Sequence, residues 1–387
     1  MMKSINFKLI SLILASKIIV FLIIFLAYNL LPFNKIAHDI NPHFPKNENI
    51  TLQTAYKTWD AQHYLFLSEN GFNKGQISNA FAPLFPTIIS IINLFINNNV
   101  IAGLLVANTF SIIGIYFFYK LVDLLYGSKI AFSSTFFLLI FPTSFYFSLI
   151  YSEGIFFALV TSSFYYLFKK KYGFVSILAF FIPMARTVGI FIIIPYIFFY
   201  IFEERRFNFN SQVIDILKSF FSKKFIFLLS PLFGLLSYFA YMFLRTGNYL
   251  EMLTASSHFV SSPTISYLWH PFELFSILSS NLHIHGFSNS IIDRIFILFA
   301  IVMFYFVYKK TNFTFFIYCI TIFMPFILIG NIMSSTRHIL MIFPIFFTLA
   351  IIFKNPKYNF IKHCLIYLMI SIQTLFLIMH ALNYWVA

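Results

Sequence analysis

Cysteine and acidic residues are scarce in this chain of 387 residues. It has two cysteines and 12 aspartate or glutamate residues, against 26 lysines and arginines. Both cysteines, Cys319 and Cys364, lie inside apolar runs, so the sequence supports neither a disulfide framework nor a zinc site. We therefore expect no metal in this protein.

Glycine-rich phosphate-binding loops are also missing from the sequence. There are 12 glycines, but neither G-x-x-x-x-G-K-[ST] nor G-x-G-x-x-G occurs, which argues against an ATP-driven pump and a dinucleotide-dependent enzyme. The G-x-S-x-G elbow of serine hydrolases does not occur either. We expect no cofactor, so an enzyme built on this chain must take an activated substrate from the membrane or from its outer face.

Long apolar runs dominate what is present. The chain is 60% hydrophobic and 10% charged, and its mean hydropathy of +0.85 is typical of a polytopic membrane protein. Runs with the length and flanks of membrane helices lie near residues 7–31, 100–119, 130–150, 152–168, 225–244, 293–308, 312–332, 337–353 and 360–380. These runs predict an all-α fold with about 9–12 transmembrane helices in a single membrane domain, residues 1–387.

Clusters of lysine and arginine predict the topology, because such clusters favour the cytoplasmic side. The clusters are Lys169–Lys171, Arg205–Arg206 with Lys223–Lys224, and Lys309–Lys310. Placing all of them inside requires residues 173–202 to form a broken hairpin or a re-entrant segment that turns near Arg186. It also requires residues 81–97 to lie against the membrane without crossing it.

The same topology collects the polar segments on the outer, non-cytoplasmic face. Two long loops, 32–99 and 245–292, lie there together with the turns that carry Glu153, Arg186 and Arg337. The net charge of +14 comes from short clusters between apolar runs and not from one basic surface. We therefore expect anionic membrane lipids, and no nucleic acid, as partners of the basic residues.

The segment Trp59–Tyr64 places one of the few carboxylates directly after the first apolar run. If it is helical, Asp60 and His63 share a face at a spacing of three residues. A carboxylate held in this way at the mouth of a cavity suits a general base. The alternative is an aromatic belt at the membrane surface with an incidental Asp–His pair.

Three further charged residues interrupt apolar sequence. Glu153 lies in a short turn, where a solvated side chain is an equally good interpretation. Arg186 lies within an apolar stretch and needs a partner or an anion; a guanidinium group suits a phosphate. Arg337 supports the same reading less strongly, because an arginine at the end of a span can extend its head group to water.

Several short segments follow one another in a characteristic order between residues 59 and 344. They are Trp59–Tyr64 with Glu69–Phe72, Phe81–Pro86, Pro142–Glu153, Ala185–Gly189, and Arg337–His338 with Phe343–Pro344. Their order and spacing resemble the PIG-V-like mannosyltransferases, a family of the polytopic GT-C glycosyltransferase class. The individual motifs are short, and the sequence shows no departure from the family at Asp60, Glu153 or Arg186.

The resemblance implies a transferase that uses a lipid-phosphate-linked sugar on the non-cytoplasmic face. The donor would be dolichyl-phosphate mannose in eukaryotes or a polyprenyl-phosphate sugar in bacteria, and the acceptor a lipid-linked or surface glycan. In the eukaryotic branch of the family the acceptor is the growing GPI anchor. The family's catalytic aspartate, in the first outer loop, corresponds to Asp60.

These observations combine into one hypothesis for the site. Asp60 deprotonates or orients the acceptor hydroxyl and His63 holds the carboxylate, while Arg186, Arg337 and His338 bind the departing lipid phosphate. Further candidate site residues are Trp59, Tyr64 and Glu153.

Two other functions fit the sequence. A transporter or flippase for lipid-linked sugars would use the broken helices and Arg186 as a pathway. An oligosaccharide polymerase or ligase would depend on arginines and histidines of the loop 245–292, such as His283. The composition, rich in Phe, Ile, Asn and Lys, suggests an AT-rich coding sequence, which favours a bacterial inner membrane over the endoplasmic reticulum.

Overall fold

All the regular secondary structure that the structure describes is helical, which confirms the all-α prediction. The computed structural model describes residues 2–45, 48–205, 222–259, 290–328 and 333–386. Its α-helices, in chain order, are α1 Met2–Leu30, α2 Lys35–Ile40, α3 Leu52–Ala55, α4 Asp60–Asn70, α5 Leu84–Ile96, α6 Asn99–Tyr126, α7 Ser128–Leu139, α8 Glu153–Phe168, α9 Tyr172–Ala185, α10 Ile193–Phe198, α11 Lys223–Leu228, α12 Ser230–Thr246, α13 Glu251–Ser256, α14 Ile291–Lys310, α15 Phe313–Leu328, α16 Ser335–Leu340, α17 Pro344–Ile352 and α18 Asn359–Ala381.

Several of these helices are suited to a membrane. In the described residues, five helical segments are long and apolar enough to cross one: Phe7–Leu30, Asn99–Tyr126, Thr187–Glu204, Ile291–Lys310 and Pro356–Ala381. On α1, Phe7, Leu14 and Ile18 are exposed, as lipid-facing side chains would be, while Leu9 and Ile24 are buried in the core. The chain is an integral membrane protein; shorter apolar helices accompany the five, and the count of 9–12 spans stays a prediction.

Three runs predicted as single helices are broken: 130–150, 225–244 and 337–353, of which 225–244 is interrupted only at Leu229, between α11 and α12. In 130–150, α7 ends at Leu139 and a 3₁₀ turn, Ser144–Phe147, follows. Pro142 cannot continue the helix, and the freed carbonyl of Leu139 accepts hydrogen bonds from the side chains of Ser144 and Gln373. In 337–353, α16 ends at Leu340 and α17 starts at Pro344, where proline suits the first turn of a helix.

The structure describes both ambiguous segments. Helix α5 has 13 residues, or about 20 Å, which is shorter than the roughly 30 Å of a hydrocarbon core, and its position against the membrane stays a prediction. In 173–202, α9 ends at Ala185 and helical structure resumes at Thr187. The ring of Tyr172, at the start of the segment, lies 6.1 Å from that of Tyr200 near its end. The two halves are therefore antiparallel, which confirms a hairpin that turns at Arg186.

The basic clusters lie together at one end of the helices. Lys224 Nζ is 2.6 Å from a Glu204 carboxylate oxygen and 5.3 Å from the centre of the Tyr172 ring. Glu203 accepts a hydrogen bond from the Thr314 amide, just beyond Lys309–Lys310. Glu153 begins α8, whose other end precedes Lys169–Lys171. The polar turn with Glu153 is therefore at the opposite end; which end faces the cytoplasm stays a prediction.

Candidate functional site

A cavity of about 830 Å³ lies at the end of the helices opposite the basic clusters. Of the predicted site residues, those that line it are Trp59, Asp60, His63, Tyr64, Arg186, Arg337 and His338. Glu153 is fully buried directly behind this lining. The structure thus brings together in space residues that are distributed along almost 280 positions of the chain.

Asp60 begins α4 and projects into the cavity from the first turn of that helix. The residue before it, Trp59, has φ 57° and ψ −125°, a region that a bulky side chain rarely adopts. Such local strain persists only where the surrounding structure enforces it, and it often marks a functional site. The side chain of Trp59 is held by the segment that follows α18, because its Nε1 donates to the Tyr384 carbonyl at 3.2 Å.

Two carboxylates and two guanidinium groups alternate along the cavity wall, and we call this arrangement the ion-pair chain. Arg337 Nη1 donates to Asp60 Oδ2 at 2.6 Å, and Arg337 Nε donates to Glu153 Oε1. Arg186 Nη1 donates to the same Glu153 oxygen at 2.5 Å. The order is therefore Asp60, Arg337, Glu153, Arg186. Its charges cancel, which offsets the cost of burying Glu153 and Arg337 and of partly burying Asp60 and Arg186.

For two residues of this cluster, the structure excludes the alternative interpretation that the sequence left open. Glu153 is not a solvated turn residue: its side chain has no exposed surface and its charge is matched by two arginines. Arg337 does not extend its head group to water, because its side chain is 7% exposed. Its guanidinium carbon lies 4.6 Å from the centre of the Tyr151 ring and 5.0 Å from that of Tyr146, as in cation–π contacts.

His63 does not hold the Asp60 carboxylate as predicted. Its Nδ1 lies 2.9 Å from Ser78 Oγ, and its ring stacks on Phe81 at 4.8 Å. Spacing along a helix showed that the two side chains share a face, but not that other segments supply better partners. Burial lowers the pKa of His63, although the charge of Asp60 opposes this shift, so the ring tends to stay neutral.

The lowered pKa of His63 predicts a pH effect on stability. The unfolded chain, with its ordinary pKa of 6.5, binds the proton first as pH falls, so this stability is present above pH 6.5 and lost below it. His63→Asn keeps a hydrogen-bonding group near Nδ1 but does not titrate. We expect thermal midpoints in detergent to fall less from pH 7 to pH 5 for this variant than for wild type. An equal fall of the thermal midpoint in wild type and variant would contradict the lowered pKa of His63.

Tyr64 and His338 occupy different parts of the wall. Tyr64 donates to Ser152 Oγ at 2.8 Å and so packs against the turn that carries Glu153. Its burial, and next the charge of Glu153, raises the pKa of Tyr64 well above the ordinary value, so it acts as a neutral donor. His338 Nδ1 lies 3.4 Å from Arg186 Nη2, at the far end of the ion-pair chain from Asp60.

Sequence reasoning missed two parts of the cavity wall. Trp385, from the last residues of the chain, lies 5.0 Å from Trp59, ring centre to ring centre. His258 and Phe259 line the cavity from the start of the loop 245–292. No motif marks either part. His283, on which the polymerase or ligase alternative would depend, lies outside the described residues.

Glu251 connects the described start of this loop to the segment 32–99. Its Oε1 accepts hydrogen bonds from the Gly75 amide at 2.7 Å and from Asn79 Nδ2 at 3.1 Å. Asn79 belongs to the same 3₁₀ turn as Ser78, the partner of His63. In the part of the chain that the structure describes, no three His, Cys, Asp or Glu side chains are grouped as they would be to bind a metal.

Comparison with known proteins adds a remote likeness. No family model and no curated protein matches the chain. Among solved structures it is similar to the oligosaccharyltransferase of Archaeoglobus fulgidus. The apo form is 13% identical with a TM-score of 0.49, over 96% of this chain and 56% of that chain. A complex with zinc and sulfate is 14% identical with a TM-score of 0.47, over 95% and 53%.

A third structure of that archaeal oligosaccharyltransferase contains an inhibitory peptide and a dolichol-phosphate. It is 11% identical with a TM-score of 0.48, over 96% of this chain and 56% of that chain. The chain thus spans about half the length of these proteins. A likeness at this level carries no argument about activity, and membership of the PIG-V-like family stays a prediction.

Proposed function

We propose that this protein is a membrane glycosyltransferase of the GT-C class. It moves a sugar, with mannose as the first candidate, from a polyprenyl- or dolichyl-phosphate donor to a hydroxyl of a lipid-linked or surface glycan on the non-cytoplasmic face. The observation that carries the proposal is one cavity with the Asp60 carboxylate at one end of the ion-pair chain and the Arg186 guanidinium at the other.

Asp60 is placed to act on the acceptor. Arg337 fixes its Oδ2, and among the described residues no side chain or amide donates to Oδ1. An acceptor hydroxyl can therefore donate to Oδ1 and pass its proton to it as the oxygen attacks the anomeric carbon. The bond from that carbon to the phosphate oxygen breaks, and its electron pair leaves with the lipid phosphate. Attack from the face opposite the phosphate inverts the anomeric centre.

Arg186 is placed to receive the leaving phosphate. Its side chain is 15% exposed, against 7% for Arg337, so it is the more accessible of the two cations. Negative charge develops on the phosphate oxygens as the glycosidic bond breaks, and a guanidinium fixed in advance stabilises that charge without reorganisation. His338, beside Arg186, extends the same end of the cavity.

The cavity lining next to Arg186 suits a lipid carrier. Thr187, Val188 and Phe191 follow Arg186 in the hairpin and line the cavity, and Phe191 is 39% exposed. Pro325, inside α15, lies on the same wall. A break in one helix and a proline in another leave apolar side chains between the cavity and the bilayer, where a prenyl chain can lie.

Transfer by purified protein in liposomes tests the proposal. With polyprenyl-phosphate mannose labelled in the sugar and a membrane lipid extract as acceptor, wild type should move label from the carrier to a more polar product. Arg186→Gln should lower this rate by about 10²–10³-fold, since it removes a charge that stabilises the transition state. Arg186→Lys should keep part of it.

Arg245→Gln is the matched control, because Arg245 is exposed and lies outside the cavity lining. Its transfer rate should equal that of wild type. If the labelled sugar crosses the bilayer but stays attached to its lipid carrier, the protein is a flippase and not a transferase. An Arg186→Gln protein that is folded and fully active would remove Arg186 from the mechanism.

A further inference from the structure

Two of the three tryptophans of the chain face the same cavity as an aromatic corner. The rings of Trp59 and Trp385 meet edge to face, with their centres 5.0 Å apart and their planes at 81°. Both side chains are only partly buried, and both line the cavity. We call this pair the tryptophan corner. It is not explained by the proton transfer and phosphate binding assigned to the ion-pair chain.

The tryptophan corner is built into the fold by contacts between the two ends of the chain. Thr58 Oγ1 donates to the His380 carbonyl at 3.1 Å, and Trp59 Nε1 donates to the Tyr384 carbonyl. The Asn34 amide donates to the Leu382 carbonyl at 2.9 Å. These bonds tie the segment that carries Trp385 to the segments that precede and carry Trp59, so the corner is a preformed surface.

The tryptophan corner lies nearer to the Asp60 end of the ion-pair chain than to the Arg186 end. Trp59 immediately precedes Asp60, the residue placed to act on the acceptor, whereas Arg186 is separated from Asp60 by Arg337 and Glu153. A ring held in the corner therefore lies at the acceptor end of the cavity and away from the phosphate end.

The chemistry of the tryptophan corner fits a saccharide. Indole rings present a large, rigid apolar face, and a pocket of aromatic walls with a few fixed polar groups orients its ligand. The face of a sugar ring that carries axial C–H groups packs on such a surface, while its hydroxyls reach polar groups at the edge. A prenyl chain would need no polar edge, and a phosphate would find no cation in the pair.

We propose that Trp59 and Trp385 form the acceptor subsite, in which a saccharide ring packs against the indole faces and presents one hydroxyl to Asp60 Oδ1. The acceptor class is therefore a glycan with a terminal sugar, and not a peptide or a simple lipid alcohol. This subsite rests on the proposed function for its role in transfer, but saccharide binding by the corner is measurable without any transfer.

Intrinsic fluorescence tests the subsite directly. The third tryptophan, Trp269, is replaced by Phe so that only Trp59 and Trp385 contribute to the tryptophan emission. Titration of this protein in detergent with α-methyl mannoside, and in parallel with α-methyl glucoside, should change the emission saturably for at least one sugar. Polyprenyl phosphate should not change it. Trp385→Phe should keep binding, because a flat aromatic face remains, and Trp385→Ala should weaken it roughly three- to tenfold.

Steady-state kinetics test the role of the tryptophan corner in binding the acceptor. Trp385→Ala should raise the KM for the acceptor roughly three- to tenfold and leave the KM for the donor within about twofold. A higher KM for the donor alone would overturn the assignment to the acceptor. If Trp385→Ala does not fold, Trp385→Leu, which also removes the aromatic face, should raise the KM for the acceptor in the same way.

The outcomes separate the subsite from the transferase. Saturable saccharide binding without any transfer would leave the subsite in place and refute the proposed function. Transfer by wild type without any emission change, and with an unchanged KM for the acceptor in Trp385→Ala, would refute the subsite and leave the function in place.

Discussion

Asp60→Asn is expected to lower the rate of sugar transfer by about 10²–10⁴-fold, the range attributed to general base catalysis. Asparagine has nearly the same shape, and its side-chain oxygen can still accept the hydrogen bond that Arg337 donates to Asp60. It cannot take a proton. The loss should therefore lie in kcat, with the KM for the lipid-linked donor nearly unchanged, and it is measured with the labelled donor in proteoliposomes.

Asp39→Asn is the matched control for this experiment. Asp39 is another carboxylate of the segment 32–99, but its side chain is 60% exposed and lies outside the cavity lining. The substitution removes the same single charge and should leave transfer unchanged. If Asp60→Asn is folded and transfers sugar at the wild-type rate, Asp60 is not the base. A loss of equal size in both variants would point to a general effect of charge.

Glu153→Gln is expected to have the largest effect on stability. Glu153 is the only carboxylate that contacts both Arg186 and Arg337 in the described part of the chain. An amide in its place leaves two guanidinium groups with one remaining carboxylate, Asp60. Breaking a buried ion pair by removal of one partner costs about 3–5 kcal/mol. The thermal midpoint in detergent and the yield of monodisperse protein should both fall strongly.

Glu251→Gln provides the comparison, because Glu251 is also buried but receives its hydrogen bonds from neutral groups. These are the Gly75 amide and the side-chain amides of Asn79 and Asn248. Glutamine retains one acceptor oxygen, so the loss should be about 1–3 kcal/mol at most. Equal shifts of the midpoint in the two variants would show that burial, and not the charges of the arginines, sets the importance of Glu153.

The charged residues of the site could be selected from the sequence because charge in an apolar run is costly. That cost singled out Asp60, Arg186 and Arg337, and the structure brings all three to one cavity. Their pairing could not be predicted in the same way. Glu153 joins both arginines over 33 and 184 residues of sequence, and only the packing of α8 against its neighbours decides that it is enclosed and not solvated.

The parts of the site without charge left no comparable signal. A tryptophan near a membrane surface is common, so Trp385 could not be distinguished from an aromatic belt residue. The expected pair of Asp60 with His63 followed from helix spacing, which takes no account of side chains from other segments. In the structure, Ser78 and Phe81 are the partners of His63. Runs such as 130–150 were predicted as whole helices because hydropathy alone does not show that a helix ends before Pro142.

The ion-pair chain and the tryptophan corner also impose an order on biosynthesis. Arg337 reaches Asp60 across 277 residues, Thr58 reaches the His380 carbonyl across 322, and Trp59 reaches Tyr384 across 325. Asp60 is thus synthesised and inserted long before the arginine and the aromatic wall that complete its surroundings. Until α18 has docked, the nascent chain holds Trp59 and Asp60 without the contacts that complete their surroundings, so a ribosome-stalled or prematurely terminated product lacks the site described above.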